Sequence, residues 1–298
     1  MARKRRGIPI HGWLNIDKPA GMSSARVVAI VKRITNAQKA GHAGTLDPFA
    51  TGILPIALGE ATKTVPYLVS DIKEYRFTAH WGEARDTDDI DGDTTETSNT
   101  RPSKADIAAL LPAFIGTVSQ RPPAFSAIKI NGERAYKLAR EGASPEMPLR
   151  DVQIHDLSLS EIIDKDHAIF DVTCGKGTYI RALARDMALE LGTFAHLVAL
   201  RRTRVGPFFE NKAISLDKLE RLWQCPAEFD DLLPITTPLD DIPAVAMTET
   251  QADRLRHGND VAVSNQADGI VCAMDENIPI GIAKIEDERM FPVRIFNL

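Results

Sequence analysis

The sequence predicts an α+β fold in two unequal parts: a large domain over about residues 1–240 and a small strand-rich unit over 244–298. Three observations predict it. Stretches rich in β-branched and aromatic residues (74–81, 116–120, 150–163, 167–174, 195–206) share the chain with stretches of helical period (25–35, 60–69, 178–191). The 298 residues, 44% hydrophobic and 26% charged, suffice for one large or two unequal cores. An acidic stretch over 217–243, bearing Pro226, Pro234, Pro238 and Pro243, reads as a domain junction before several short apolar runs.

Taken in order, residues 12–16 read as a first strand, and 17–24 as a turn that ends in a helix cap. Val27, Ile30, Val31 and Ile34 then recur at helical spacing. Next comes Gly41-His42-Ala43-Gly44-Thr45-Leu46-Asp47-Pro48-Phe49-Ala50-Thr51-Gly52-Ile53-Leu54. Its three glycines and one proline specify a tight loop, and Pro48 pushes the Asp47 backbone out of the α region. Residues 53–58 read as a buried apolar run, so a lone carboxylate stands on a rigid loop braced against a core. Asp-Pro pairs are also common simple turns, and Asp47 by itself fits either reading. A short helix over 60–69 and a strand over 74–81 follow.

Residues 82–93 are dense in acid. As a calcium loop they fail: with Gly92 as the sixth position, Thr87 and Ser98 fall where carboxylates are needed. Ser103 and Asp106 form a capping box that opens a helix to about Leu111. Residues 121–132 read as a rigid turn, a strand and a hairpin turn, and 133–140 as a short helix carrying Arg134, Lys137 and Arg140. Gly175-Lys176-Gly177-Thr178 leads into a helix at Thr178 with Ile180, Leu183, Ala184, Met187 and Leu191 on its apolar side. Arg181 and Arg185 share one face of it. A P-loop is excluded, because Phe170 and Gly177 stand where glycine and Ser/Thr are required. Residues 248–258 read as a capped helix ending at a glycine.

Composition excludes several classes. No apolar run has the length of a membrane span, and the basic tract 1–6 is followed by no signal-peptide core, so a cytoplasmic location is expected. Cys174, Cys225 and Cys272 are far apart with no CxxC pair, which indicates neither a zinc site nor a disulfide framework. The net charge of −5 is unevenly spread: residues 1–65 carry 10 lysines and arginines against 3 acids, whereas 211–298 carry 8 against 16. Phosphate binding follows the local field, so the basic approach to the glycine-rich loop keeps a nucleic-acid partner open.

The loop resembles the catalytic loop of the TruB family of tRNA pseudouridine synthases, G-H-x-G-T-L-D-P-x-A-x-G-(L/I)-L, at every fixed position. Four further motifs follow in that family's order over residues 10–210: D-K-P-x-G-x-S-S from Asp17, K-x-Y at Tyr75, R-P-P-x-(F/Y)-S-A-x-K from Arg121, and G-T-Y-I-R from Gly177. The acidic stretch resembles G-x-x-T-D-T-x-D-x-x-G, with Arg85 in place of the usual threonine. The resemblance implies a pseudouridine synthase fold around a mixed, mainly antiparallel sheet, followed by a small PUA-like β-barrel. It implies that Asp47 is the catalytic aspartate, that Arg181 pairs with it and holds it ionised, and that Tyr75 stacks on the target base. His42, Lys18, Asp89, Tyr179, Leu200 and Arg202 are the implied substrate and RNA contacts, with Arg201 and Arg204 meeting phosphates. Lys18 reads equally as a surface lysine. The insertion at about 121–150 is the implied thumb that closes over an RNA stem-loop.

The implied reaction is isomerisation of the T-loop uridine at tRNA position 55 by a monomer, with no guide RNA, protein partner, metal or cofactor. A tRNA-binding folding chaperone on the same fold is the alternative. Asp47 could attack as a nucleophile or take a proton from the sugar as a base, and the sequence does not separate these.

Overall fold

Strand β1 (Gly12–Lys18) is buried along nearly its whole length although it carries Asn15, Asp17 and Lys18. The computed structural model describes residues 7–69, 72–126, 128–130, 132–141, 147–224 and 230–298. The basic tract 1–6, Cys225, Pro226, part of the 121–150 insertion and the side chains of Lys129, Arg134 and Arg140 lie outside the described residues.

Ser23 caps α1 (Ser24–Thr35), accepting from Arg26 N, and the helix turns Val27 and Val31 into the core. Strands β2 (Ala40–His42) and β3 (Thr51–Leu58) flank the glycine-rich loop, so its two ends are strand and only the middle is loop. The single helix expected over 60–69 is a 3-10 turn at 59–63 followed by α2 (Val65–Val69). Pro66 explains the break, since proline suits a helix start and not its interior.

Then come β4 (Lys73–Trp81), the hairpin β5 (Glu83–Arg85) and β6 (Thr94–Thr97) around the acidic turn, and α3 (Lys104–Leu110) with the Ser103–Asp106 capping box. Strand β7 (Gly116–Gln120) precedes the insertion, whose β8 (Lys129–Ile130) pairs with β9 (Glu133–Arg134). That pairing delays α4 (Ala135–Arg140) by two residues from the expected start. Strands β10 (Arg150–Ile162) and β11 (His167–Cys174) lead to α5 (Ile180–Glu190), then β12 (Ala195–Val205) and β13 (Phe208–Phe209).

The large sheet has the order β1-β3-β12-β4-β11-β10-β7, with β2 on β3 and β13 on β12. It is mixed: β3 and β12 run parallel and the other pairs antiparallel. Leu183, Ala184 and Met187 of α5 pack with Phe77, Phe170 and Leu197 into the main core. A helix not foreseen, α6 (Leu216–Trp223), packs Leu219 and Trp223 against α1 and β1. The stretch read as a junction is therefore partly core, because Leu216, Leu219 and Trp223 fall on one helical face among acids that mask the period.

Strand β14 (Ala244–Ala246), α7 (Glu249–Arg256) and strands β15 (Val261–Ala262), β16 (Gly269–Asp275), β17 (Ile278–Glu286) and β18 (Arg289–Ile295) complete the chain. They form a curled PUA-like half-barrel of order β14-β16-β17-β18-β15. Its Cys272, Ile282 and Phe296 share an apolar cluster with Trp13, Ile53 and Phe208 of the large sheet. Lys63 Nζ donates to Ile295 O at 2.6 Å, and Glu60 accepts from Asn297 N at 2.9 Å. Among the described residues no helix is long and apolar enough to cross a membrane.

Candidate active site

The loop between β2 and β3 is braced from three sides. Ser24 Oγ donates to Leu46 O (3.0 Å) and accepts from Leu46 N (2.8 Å). Gly21 N and Lys18 Nζ both donate to Pro48 O, at 2.8 and 3.1 Å. Arg202 Nε donates to Ile53 O (2.7 Å) and Nη2 to Gly44 O (3.1 Å). Strand β12 approaches β3 so closely that a Cβ on Gly52, at φ +100°, would run into the Arg202 backbone. Asp47, the residue before Pro48, is thus carried on a backbone tied at Gly44, Leu46, Pro48 and Ile53.

These bonds correct one expectation: Lys18 has no exposed surface and is not a surface lysine. Its Nζ donates to three carbonyls, those of Pro19 (2.9 Å) and Met22 (2.7 Å) besides Pro48. Arg202 is 1% exposed and braces the loop from behind. Arg201 and Arg204 are also engaged, the first with Asp17 and Glu210, the second with Glu74.

Arg181 lies in the first turn of α5, 4% exposed. Its Nε sits 3.0 Å from Asp47 Oδ2 and its Nη1 3.2 Å from Asp89 Oδ2. Nη1 also donates to Thr87 O (2.6 Å) and Nη2 to Phe125 O (2.9 Å). One side chain therefore joins the Asp47 loop, the acidic turn and the root of the insertion. The two carboxylates differ: the Asp47 side chain is 34% exposed and that of Asp89 6%. Asp89 faces inward. Its Oδ1 accepts from Thr87 Oγ1 (2.7 Å) and Asp91 N (3.1 Å), which seals it behind Arg181. Gly92 lets this turn close, since a Cβ there would overlap Asp86 Oδ1 and Thr87 Oγ1. Arg85 serves the same turn, donating to Ile90 O at 2.7 Å.

Burial pushes the Asp47 carboxyl above the ordinary aspartate value; Arg181 pulls it down and Asp89 adds to the rise. Arg181 thus opposes desolvation without overcoming it. Burial lowers Lys18 to about 8, against the pull of Asp47. Tyr75 on β4 is half-buried against the main core, and its phenol is pushed up by burial, with Arg202 and Asp47 near enough to be felt. Leu200 is packed into that same core. Tyr179 stands at the residue before α5 and packs on Ile128, Ala135 and Met147 of the insertion. His42 lies on β2 with its pKa lowered by burial, and its buried Nδ1 has no hydrogen-bond partner among the described residues. Lys137 is taken up by Glu133 at 3.0 Å and Glu141 at 3.8 Å.

Sequence reasoning missed three contributors. Ser24 was read as part of a cap, and its grip on Leu46 left no pattern. Gln120, 1% exposed, accepts from Tyr179 N (2.8 Å) and donates to Tyr179 O (3.0 Å). Arg185 and Asp88 form a third contact, at 2.8 Å.

A solvent-reachable carboxylate gripped by a buried arginine, on the glycine-rich loop, is the arrangement the motifs implied. The model for the N-terminal domain of TruB family pseudouridylate synthases matches residues 32–180. The chain belongs to the TruB family. Models of the tRNA pseudouridylate synthase B C-terminal domain and of the Pseudouridine synthase II TruB C-terminal region match residues 181–242 and 243–296. The chain is 52% identical to the tRNA pseudouridine synthase B of Bradyrhizobium diazoefficiens, covering 100% of this chain and 88% of that one. It is 48% identical to that of Caulobacter vibrioides, with both chains fully covered. Among solved structures, a chain of an H/ACA RNP bound to a substrate RNA containing 2′-deoxyuridine superposes with a TM-score of 0.74 at 25% identity, over 100% of this chain and 92% of that one. A chain of a Cbf5-Nop10-Gar1 complex does so at 0.73 and 28% identity, over 96% and 84%.

Proposed function

We propose that this TruB family enzyme isomerises the T-loop uridine at tRNA position 55 to pseudouridine, acting as a single chain on the T-arm stem-loop without guide RNA. The observation that carries the reading is the inequality of the two carboxylates on Arg181: Asp47 is open to a substrate and Asp89 is sealed. The substrate class is supported by the names of the relatives, tRNA pseudouridine synthase B.

The reaction breaks the N1–C1′ bond, turns the uracil and forms a C5–C1′ bond. A proton leaves C5 and another is taken up at N1, so no redox partner is consumed. The uridine must leave its stack to reach Asp47, which then acts as nucleophile on the nucleoside or as base on the sugar. Arg181 aims the carboxylate and screens its charge. Tyr75 offers a face for the flipped base, and its phenol, already protonated at neutral pH, is pushed further up by burial. His42 ends β2 where the loop begins, and burial lowers its pKa. In this reading residues 1–240 form the catalytic domain, the insertion at 121–150 closes on the stem-loop and 244–298 form the PUA-like domain.

The test is tritium release from a C5-tritiated T-arm stem-loop, with wild type and Asp47→Asn, in the absence of guide RNA. Release by wild type, with a loss of roughly 10³-fold or more in the variant at unchanged RNA affinity, supports the reading. Equal release from a stem-loop with cytidine at position 55 overturns the position. A wild type that binds the RNA and releases nothing overturns the enzymatic reading in favour of a folding chaperone.

A further inference from the structure

Helix α5 carries a second arginine one turn after Arg181, and nothing in the reaction above requires it. Arg185 Nη1 lies 2.8 Å from Asp88 Oδ2, and its Nη2 donates to Arg121 O at 2.7 Å. Its Nε donates to Asp186 Oδ1 at 2.9 Å. The contacts repeat those of Arg181 one step along. Each arginine takes one carboxylate of the acidic turn, Asp89 or Asp88, and one carbonyl at the root of the insertion, Phe125 O or Arg121 O.

The backbone explains how adjacent carboxylates face the same helix. In extended chain, neighbouring side chains point to opposite sides. Asp88 has a left-handed φ of +58°, which breaks that alternation. The turn is also pinned to β12, where Leu197 N donates to Asp88 O at 3.1 Å. Asp88 is 8% exposed, so its carboxylate is committed to this pair. The TruB motif leaves the residue before Asp89 unspecified, so the contact lies outside the shared pattern.

We propose that Arg185 and Asp88 are a positioning pair that locks the root of the insertion, residues 121–126, to the turn that holds Arg181, and so fixes the aim of Asp47 once RNA is bound. This rests on the reading that Asp47 acts on a uridine. Closure of the insertion on a stem-loop would pull on Arg121 and Phe125, and the two arginines carry that displacement to Thr87, Asp88 and Asp89. Loss of Arg185 leaves both Asp88 and Asp186 without this cation, whereas loss of the Asp88 charge leaves Arg185 with Asp186. Arg185→Gln is therefore the more damaging change.

The experiment compares full-length wild type, Arg185→Gln, Arg185→Lys and Asp88→Asn by single-turnover isomerisation, stem-loop Kd and amide hydrogen exchange of the free protein. The pair predicts a rate about tenfold lower in Arg185→Gln, with a smaller loss in Asp88→Asn and Kd held within about twofold. Arg185→Lys restores part of the rate, because an ammonium keeps the charge but lacks the fork that reaches both Asp88 and Arg121. Exchange at Asp89, Ser126 and Leu197 speeds up together in Arg185→Gln. Rates within about twofold of wild type, or a rate loss that only follows weakened RNA binding, overturn the pair. Should wild type itself fail to turn over, the functional reading falls and exchange decides: unchanged exchange in Arg185→Gln overturns the coupling, and joint acceleration sustains it.

Discussion

The Asp47 loop is held by buried cations in front and behind, and the two sides are built on opposite plans. In front, Arg181 meets two carboxylates and two carbonyls. Behind, Lys18 and Arg202 meet neutral groups: the carbonyls of Pro19, Met22 and Pro48 for one, those of Ile53 and Gly44 and the Tyr75 phenol for the other. A cation facing carboxylates fixes where charge sits. A cation facing carbonyls fixes where backbone sits, and its own charge is less secure, as the fall of Lys18 to about 8 shows. The front aims the reactive group and the rear keeps the loop from moving under it.

The comparison is tested most severely by removing each arginine. Arg181→Met strands the sealed Asp89 carboxylate, and urea unfolding should show a loss of about 3 kcal/mol or more, along with lost turnover. Arg202→Met orphans only dipoles, so the same measurement should show about 1–3 kcal/mol. Equal losses would break the distinction between the two sides.

Titration sharpens it further. The Nζ resonance of Lys18 should titrate near pH 8, followed by NMR with Lys18→Met to assign it. Because the folded pKa lies below the ordinary 10.5, the folded chain holds fewer protons than the unfolded chain between the two values. The Lys18 contribution to stability therefore rises with pH from about 8 to 10.5, and urea midpoints of Lys18→Met should lack that rise.

The smallest effect concerns the charge on the front. Asp89 raises the Asp47 pKa, so Asp89→Asn should move the acid limb of the single-turnover rate to lower pH. A shift to higher pH would mean that Asp89 acts chiefly by holding Arg181 in place.

The strands of the large sheet were legible because their period-2 patterns are long, and the helices of α1, α5 and α7 because their apolar spacing and caps are clean. Helix α6 was not, since its apolar face is interrupted by Asp217, Lys218, Glu220 and Arg221 in a stretch that reads as solvated. In the site, the pairing of Asp47 with Arg181 was legible through long motifs. The bonds of Lys18, Arg202 and Asp89 were not: a motif marks a residue without showing what its side chain meets.

By itself the sequence determined the family and the α+β class and singled out the Asp47 loop, because glycine, proline and apolar period act locally and are written in order along the chain. Tertiary structure decided which charges face solvent and which face each other. Lys18, Arg202, Asp88 and Asp89 are ordinary polar residues in one dimension. Packing of β1, β12 and α5 around one loop, with the exclusion of water that follows, makes the first two struts and the other two anchors for arginines.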